Sequence, residues 1–247
     1  MKDVARIIYY DQRAGNSSAD ATGETYTIEQ AVEDLESLRK ALNFERWVVL
    51  GWSYGGLLAQ LYSLKYPERC KGLVLGASNT GFSFIKNQEQ EQMFLSKEEL
   101  SAIAYIEKTA SEGKITIAQA LYNMDLAGNW KYYFYHKPTK EEVIRLALYG
   151  FNSAPGFEEQ MRPKSYRVGL EGKFDDFAIP TLIAEARWDL GWLEPNRIEI
   201  MRKNHPHVQI EVFEKSGRAI YADEPEKFFA VLKKFLGEVG NTTSPVR

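Results

Sequence analysis

The stretch Gly51-Trp52-Ser53-Tyr54-Gly55 sets a serine between two glycines, each two positions away. It follows an apolar, β-branched run, Trp47 to Gly51, and precedes the helical pattern "GLLAQLYSLK". A serine at a tight strand-to-helix turn sits on strained backbone with its hydroxyl exposed, and small neighbours let strand and helix approach. The helix start behind it turns backbone N–H groups and a positive dipole end toward a developing oxyanion. The chemistry this suits is nucleophilic attack by Ser53 on a carbonyl. The competing reading is a glycine-rich turn whose serine only caps the helix.

Such a nucleophile needs a base and an acid, in the chain order Ser, then Asp or Glu, then His. Asp189 ends the strand pattern "TLIAEARWD", which places its carboxylate at the carboxyl edge of a sheet, where sites of this kind lie. An ordinary loop aspartate is the alternative. The next strand pattern runs into "KSGRAIY", and the position where the histidine is expected holds Arg218. An arginine keeps its proton and cannot serve as a general base. Beside Asp189 it is expected to form an ion pair. The chain has three histidines. His136 stands in an aromatic segment. His205 and His207 precede the strand "VQIEVF" and belong at its far end, roughly 20 Å away by strand rise. None is a substitute for the base.

The elements that must position these residues alternate. "VARIIYYD" (Val4 to Asp11) reads as a strand ending in turn chemistry, "QRAGNSS". "TIEQAVEDLESLRKALNF" reads as an amphipathic helix with a capping box of Thr27 and Gln30. Strand "WVVLG", a helix stopping near Pro67, and strand "KGLVLGAS" follow. After "FAIP" the rhythm resumes as strand, helix, strand and a closing helix, "EPEKFFAVLKKFLGEV", whose start reads as a second capping box of Asp223 and Glu226. β-α alternation of this kind argues for a mostly parallel α/β sheet with helices on its faces. Residues 79–173 interrupt it with helical patterns and an aromatic knot, "NWKYYFYHKP". The expected organisation is a sheet core of residues 1–78 and 174–240, a helical insertion of 79–173, and a loose tail of 241–247.

Composition narrows the function classes. With 247 residues and 44% apolar content the chain can bury a sizeable core. A net charge of −3 and the lack of a basic run argue against nucleic acid as a partner. A lone cysteine, Cys70, excludes an intramolecular disulfide and a multi-cysteine metal site. No window approaches ~18 consecutive apolar residues, so no membrane span is expected. The start, "MKDVARIIYYDQR", has no signal-peptide core, and the cytoplasm is the expected location.

On "YYDQRAGNSS", "VVLGWSYGGLLAQLYSLKYPERCKGLVLGAS", "IPTLIAEARWD" and "SGRAIYADEPEKFF" the chain resembles the α/β-hydrolase superfamily, and within it the proline iminopeptidase-like serine peptidases and esterases. These motifs cover most of the chain outside the insertion. The resemblance implies hydrolysis of an ester or amide, often release of an N-terminal proline, without metal or organic cofactor. It implies Ser53 as nucleophile, Tyr54 as donor of an oxyanion N–H, Asp189 as triad acid, and the insertion as a cap over the site. Two departures stand out. Family members carry histidine where this chain has Arg218. They also carry an "HGGPG" oxyanion loop after an early strand, and that loop and the N-terminal strands around it are missing from this chain. Impaired catalysis is the expectation, with a small molecule or short peptide as substrate. A ligand-binding relative without catalysis and a fragment of a hydrolase are the rivals. An exposed sheet edge left by the missing strands is expected to favour self-association.

Within the insertion, the aromatic knot reads as core packing or as the lining of an apolar pocket. Glu141, Glu142, Glu158 and Glu159 read as a solvated helix face or as receivers of a substrate's amino group.

Overall fold

Four strands form one parallel sheet in the order β1 (Trp47–Trp52), β2 (Cys70–Gly76), β3 (Thr181–Ala186), β4 (Val208–Phe213). The structure, a computed structural model, describes residues 4–13, 27–78, 95–145, 170, 172–189, 197–205 and 208–241. The register pairs Trp52 with Gly76, Gly76 with Ala184, and Ala186 with Phe213. Because all four strands run the same way, their carboxyl ends meet at one edge. The residues that follow them, Ser53, Asp189 and the loop of Arg218, emerge there.

Side chains alternate between the two faces of the sheet, as the period of a strand requires. Leu73, Leu75 and Ile183 pack with α1 (Ile28–Ala41) and α2 (Tyr54–Lys65). Val74, Leu182, Ala184 and Phe213 pack with Phe228, Leu232, Phe235 and Val239 of the closing helix. Burial on both faces explains why β2 and β3 read as continuous apolar runs. A buried polar network ties α1 to α2. Arg39 donates to Glu36 through Nε (2.8 Å) and Nη2 (2.7 Å), and the Tyr62 hydroxyl donates to the same carboxylate at 2.9 Å. The guanidinium holds the Glu36 carboxyl down at about 2.

Between β2 and β3 the described residues include α3 (Lys97–Ser111), α4 (Ile117–Ala127) and a 3-10 turn (Asn129–Tyr132). Capping boxes set by Ser96 with Glu99 and by Thr116 with Gln119 start the two helices. Leu95, Ile103 and Tyr132 form a small core of their own there. Beyond β3 come α5 (Arg197–Asn204), a short α6 (Ile220–Asp223) and α7 (Pro225–Asn241). α7 runs through Asn241, one residue into the expected tail.

Three local expectations are corrected. Val4 to Asp11 is not a strand, and Val4, Ile7, Tyr9 and Tyr10 are exposed. β-branched and aromatic residues favour a strand only where a ladder partner exists. Among the described residues the sheet begins at β1. At α1, Thr27 Oγ1 accepts from the Gln30 N–H at 3.1 Å, but the Gln30 side chain turns to Asp34, leaving half a capping box. At α7, Asp223 does not cap. It lies in α6, and its carboxylate is engaged elsewhere.

Candidate active site

Ser53 follows β1 with φ 52° and ψ −120°, a left-handed conformation that costs a non-glycine residue about 1–3 kcal/mol. The sheet and the helix hold it there. Its N–H donates to the Gly76 carbonyl of β2 at 3.0 Å. Its carbonyl accepts from the Gly56 N–H at 3.0 Å and from the Ser78 hydroxyl at 3.1 Å. Ser53 occupies the N-cap position of α2, yet its hydroxyl makes no capping bond. The helix-cap reading therefore fails, and the hydroxyl stands at the helix start without serving it. Tyr54, the first residue of α2, is buried.

The close approach of strand and helix is real, but the motif's two glycines do not share it. A Cβ on Gly51 would lie 2.1 Å from the Gly55 carbonyl oxygen. A Cβ on Gly56 would lie 1.7 Å from Ser78 Oγ. A Cβ on Gly55 would meet nothing within 4 Å. The tight positions are Gly51 and Gly56, so the demand falls one residue later than the motif suggests.

Asp189 is buried in the loop after β3. Arg218, in the loop after β4, donates to it through Nη2 (3.0 Å to Oδ1) and Nε (3.3 Å to Oδ2). The two loops are laced together where the strands end. The Arg187 N–H donates to the Phe213 carbonyl at 2.9 Å, and the Trp188 N–H to the Ser216 carbonyl at 3.0 Å. Position 218 is also tied to the serine turn: the Trp52 indole N–H donates to the Arg218 carbonyl at 3.0 Å. The structure thus brings together the Ser53 turn, Asp189 and Arg218, and it realises the expected ion pair.

The insertion reaches this cluster through Tyr133, whose ring lies 5.9 Å from the Arg218 guanidinium carbon. Desolvation raises the Tyr133 phenol, Arg218 opposes that, and Asp125 and Asp189 add to it. Asp125 itself is pushed up to about 7 by burial in α4. The aromatic knot therefore divides. Tyr132 is core of the insertion, Tyr133 faces Arg218, and Tyr135 packs on Trp188 with ring centroids 5.7 Å apart.

The histidines stand as the strand ends imply. His205 is buried at the entry to β4, with Nε2 3.2 Å from Gln60 Oε1. His136 lies in the insertion, its Nδ1 on Asp223. His207, Glu158 and Glu159 lie outside the described residues. Glu142 accepts from the Thr139 N–H at 2.8 Å, the work of a helix-capping residue. Sequence reasoning missed Gly56, Ser78, Trp52 and Asp223. Only contacts across distant chain segments reveal them, and the local pattern around each fits a simpler role.

Comparison with known proteins agrees with this fold. The family model described as "alpha/beta hydrolase fold" matches residues 2–225. A proline iminopeptidase of Saccharolobus solfataricus is 27% identical, covering 94% of this chain and 76% of that protein. A putative 2-succinyl-6-hydroxy-2,4-cyclohexadiene-1-carboxylate synthase of Bacillus subtilis is 24% identical, covering 91% and 78%. Among solved structures, VinJ superposes with a TM-score of 0.70 at 19% identity, covering 94% of this chain and 80% of that one. The proline iminopeptidase of Mycobacterium smegmatis gives 0.61 at 19% identity, covering 91% and 76%. A parallel sheet, a strained serine between strand and helix, and a family match over most of its length together place this chain in the alpha/beta hydrolase fold family.

Proposed function

We propose that the chain is a proline iminopeptidase-like serine hydrolase, acting on an N-terminal proline amide or a small ester, whose catalysis is impaired at position 218. The single observation that carries the impairment is the Arg218–Asp189 ion pair. Ser53 supports the nucleophile role, because its hydroxyl is spared from capping at a strained turn. Attack on a carbonyl requires the Ser53 proton to leave. In a working triad an imidazole takes it while the acid orients the ring. Here the acid's oxygens are engaged by a guanidinium that cannot accept a proton. Loss of such a base lowers kcat by on the order of 10⁶ in a well-studied serine protease, with ~10³–10⁴ over water remaining from the rest of the site. The N–H groups at the start of α2, with that of Tyr54 foremost, would stabilise the oxyanion. The insertion would close over the site through Tyr133.

The same ion pair favours a second reading, a relative that binds a small ligand under the insertion without turning it over. A fluorophosphonate probe separates the two. The hydrolase reading expects slow covalent labelling that vanishes in Ser53→Ala and accelerates in Arg218→His. No labelling of either the parent or Arg218→His would leave the binding reading standing. Rapid Ser53-dependent labelling of the parent would mean that another base serves the site.

A further inference from the structure

Asp223 is a carboxylate whose side chain is 1% exposed, in a part of the molecule where the mechanism above makes no use of it. Its Oδ2 accepts from two backbone N–H groups that are 82 residues apart in sequence: Gly217 at 2.8 Å and Tyr135 at 2.9 Å. Its Oδ1 accepts from the His136 N–H at 3.3 Å and meets His136 Nδ1 in a close contact. Glu142 stands on the far side of that ring, 3.6 Å from Nε2. Around this carboxylate the two chain segments touch directly. The Ala219 N–H donates to the Tyr133 carbonyl at 2.6 Å, and a Cβ on Gly217 would lie 2.8 Å from that oxygen.

One oxygen atom therefore joins the insertion to the loop that carries Arg218. Its position has consequences on both sides. Gly217 immediately precedes Arg218. Tyr135 packs its ring on Trp188, which immediately precedes Asp189 and is pinned by its own indole N–H to the Glu214 carbonyl at 3.1 Å. A buried carboxylate is stable only while its lone pairs are met by donors, so the segments that supply those donors are held to it. Glu224 makes a useful contrast. It straps the same loop, accepting from the Lys215 N–H (2.8 Å) and the Ser216 hydroxyl (2.7 Å), and has no bond to the insertion among the described residues.

We infer that Asp223 is a positioning residue for the site: it docks the insertion onto the Arg218 loop and thereby sets both Arg218 and the Tyr135–Trp188 wall beside Asp189. This rests on the reading that position 218 belongs to the site, but its test does not require the chain to be active. In the unmodified protein the Gly217 and Tyr135 amides share one acceptor atom, so their hydrogen exchange should report one opening event, with matching protection and matching denaturant dependence. Asp223→Asn replaces one accepting oxygen with a donor. It should raise exchange at Gly217 and Tyr135 together by at least ~10-fold while the amides of β2 and β3 keep their protection. It should also move the Arg218 Nε–H resonance, which reports the bond to Asp189. Glu224→Gln should loosen Lys215 and leave Tyr135 protected.

Three results would overturn the assignment. Gly217 and Tyr135 could open independently in the unmodified protein. Glu224→Gln could release Tyr135 as fully as Asp223→Asn does. The Arg218 Nε–H signal could stay in place when Asp223 is changed. The first needs no variant, so the assignment can be tested even if Asp223→Asn does not fold. Failure of Ser53 to label, by contrast, would count against the hydrolase reading and leave this one intact.

Discussion

Arg218 Nη2 lies 3.0 Å from Asp189 Oδ1, in a pair whose aspartate side chain is 3% exposed and whose arginine side chain is 28% exposed. The geometry is a two-point contact between a planar guanidinium and a carboxylate, the arrangement arginine forms best. On the proposed hydrolase reading, Arg218 offers no proton acceptor at this position. On that same reading it also engages the acid, so a base brought from elsewhere would meet a carboxylate already bonded to Arg218.

Arg218→His should restore part of the proton path. The expected gain in hydrolysis of p-nitrophenyl acetate or proline p-nitroanilide is at least ~10-fold, about 1.4 kcal/mol of barrier. The gain should disappear when Ser53→Ala is added. Steady-state rates for the parent and the single and double variants decide it. Equal rates for the parent and Arg218→His would place the dominant defect elsewhere in the site.

The glycines around the serine make a sharp contrast. Gly51→Ala would drive a Cβ to 2.1 Å from the Gly55 carbonyl oxygen, where only backbone can yield. The expected loss is roughly 1–3 kcal/mol or more. Gly55→Ala meets nothing within 4 Å and sits in a helix, where alanine is favoured by about 0.5–1 kcal/mol. Urea unfolding of the two variants should move the midpoint in opposite directions. A larger loss at Gly55 would mean that the tight approach of strand and helix lies at Gly55 and not at Gly51.

The inner strands β2 and β3 were legible because burial on both faces leaves a mostly apolar run, as in "GLVLG" and "TLIAEA", whereas the half-buried β4, "VQIEVF", was legible by its alternation. Ser53, Asp189 and Arg218 were legible because each follows a strand end, and parallel strands put those ends at one edge. The ion pair needed only the chemistry of its two side chains once they were neighbours. Asp223 was not legible. A carboxylate three residues before a glutamate at a helix start has the look of a cap, and only the approach of Tyr135 and Gly217 from distant chain segments reveals its use. Val4 to Asp11 failed for the opposite reason: strand propensity is local, whereas a strand exists only through its neighbour.

Ser53 holds a backbone conformation that is unfavourable for a residue with a Cβ. With φ 52° and ψ −120° the position suits glycine, so Ser53→Gly should stabilise the fold by about 1–3 kcal/mol. Ser53→Ala keeps a Cβ and should leave stability nearly unchanged. Thermal or urea unfolding of the two variants distinguishes relief of strain from mere loss of the hydroxyl. Equal stability for Gly and Ala would mean that the turn is relaxed.

His205 should make the fold sensitive to mild acid, although it lies far from the serine. The ring is buried against Phe174, at 4.1 Å between centroids, with Nε2 on Gln60 and Nδ1 without a partner among the described residues. Burial pushes its pKa down to about 4. An unfolded histidine titrates near 6.5. Between those values the unfolded chain binds a proton that the folded chain refuses, so stability falls as pH drops from about 6.5 to about 4. Above that window the histidine is neutral in both states and has no effect, and below it both are charged and the loss is complete. The loss attributable to this ring is on the order of 3 kcal/mol across the window. His205→Gln keeps a donor for Gln60 but cannot titrate. Urea midpoints at pH 7, 5.5 and 4.5 should fall more steeply for the parent than for His205→Gln, and the difference should be flat above pH 7. Parallel curves would show that His205 takes up its proton in the folded state as readily as in the unfolded one, and that the pocket around it admits the charge.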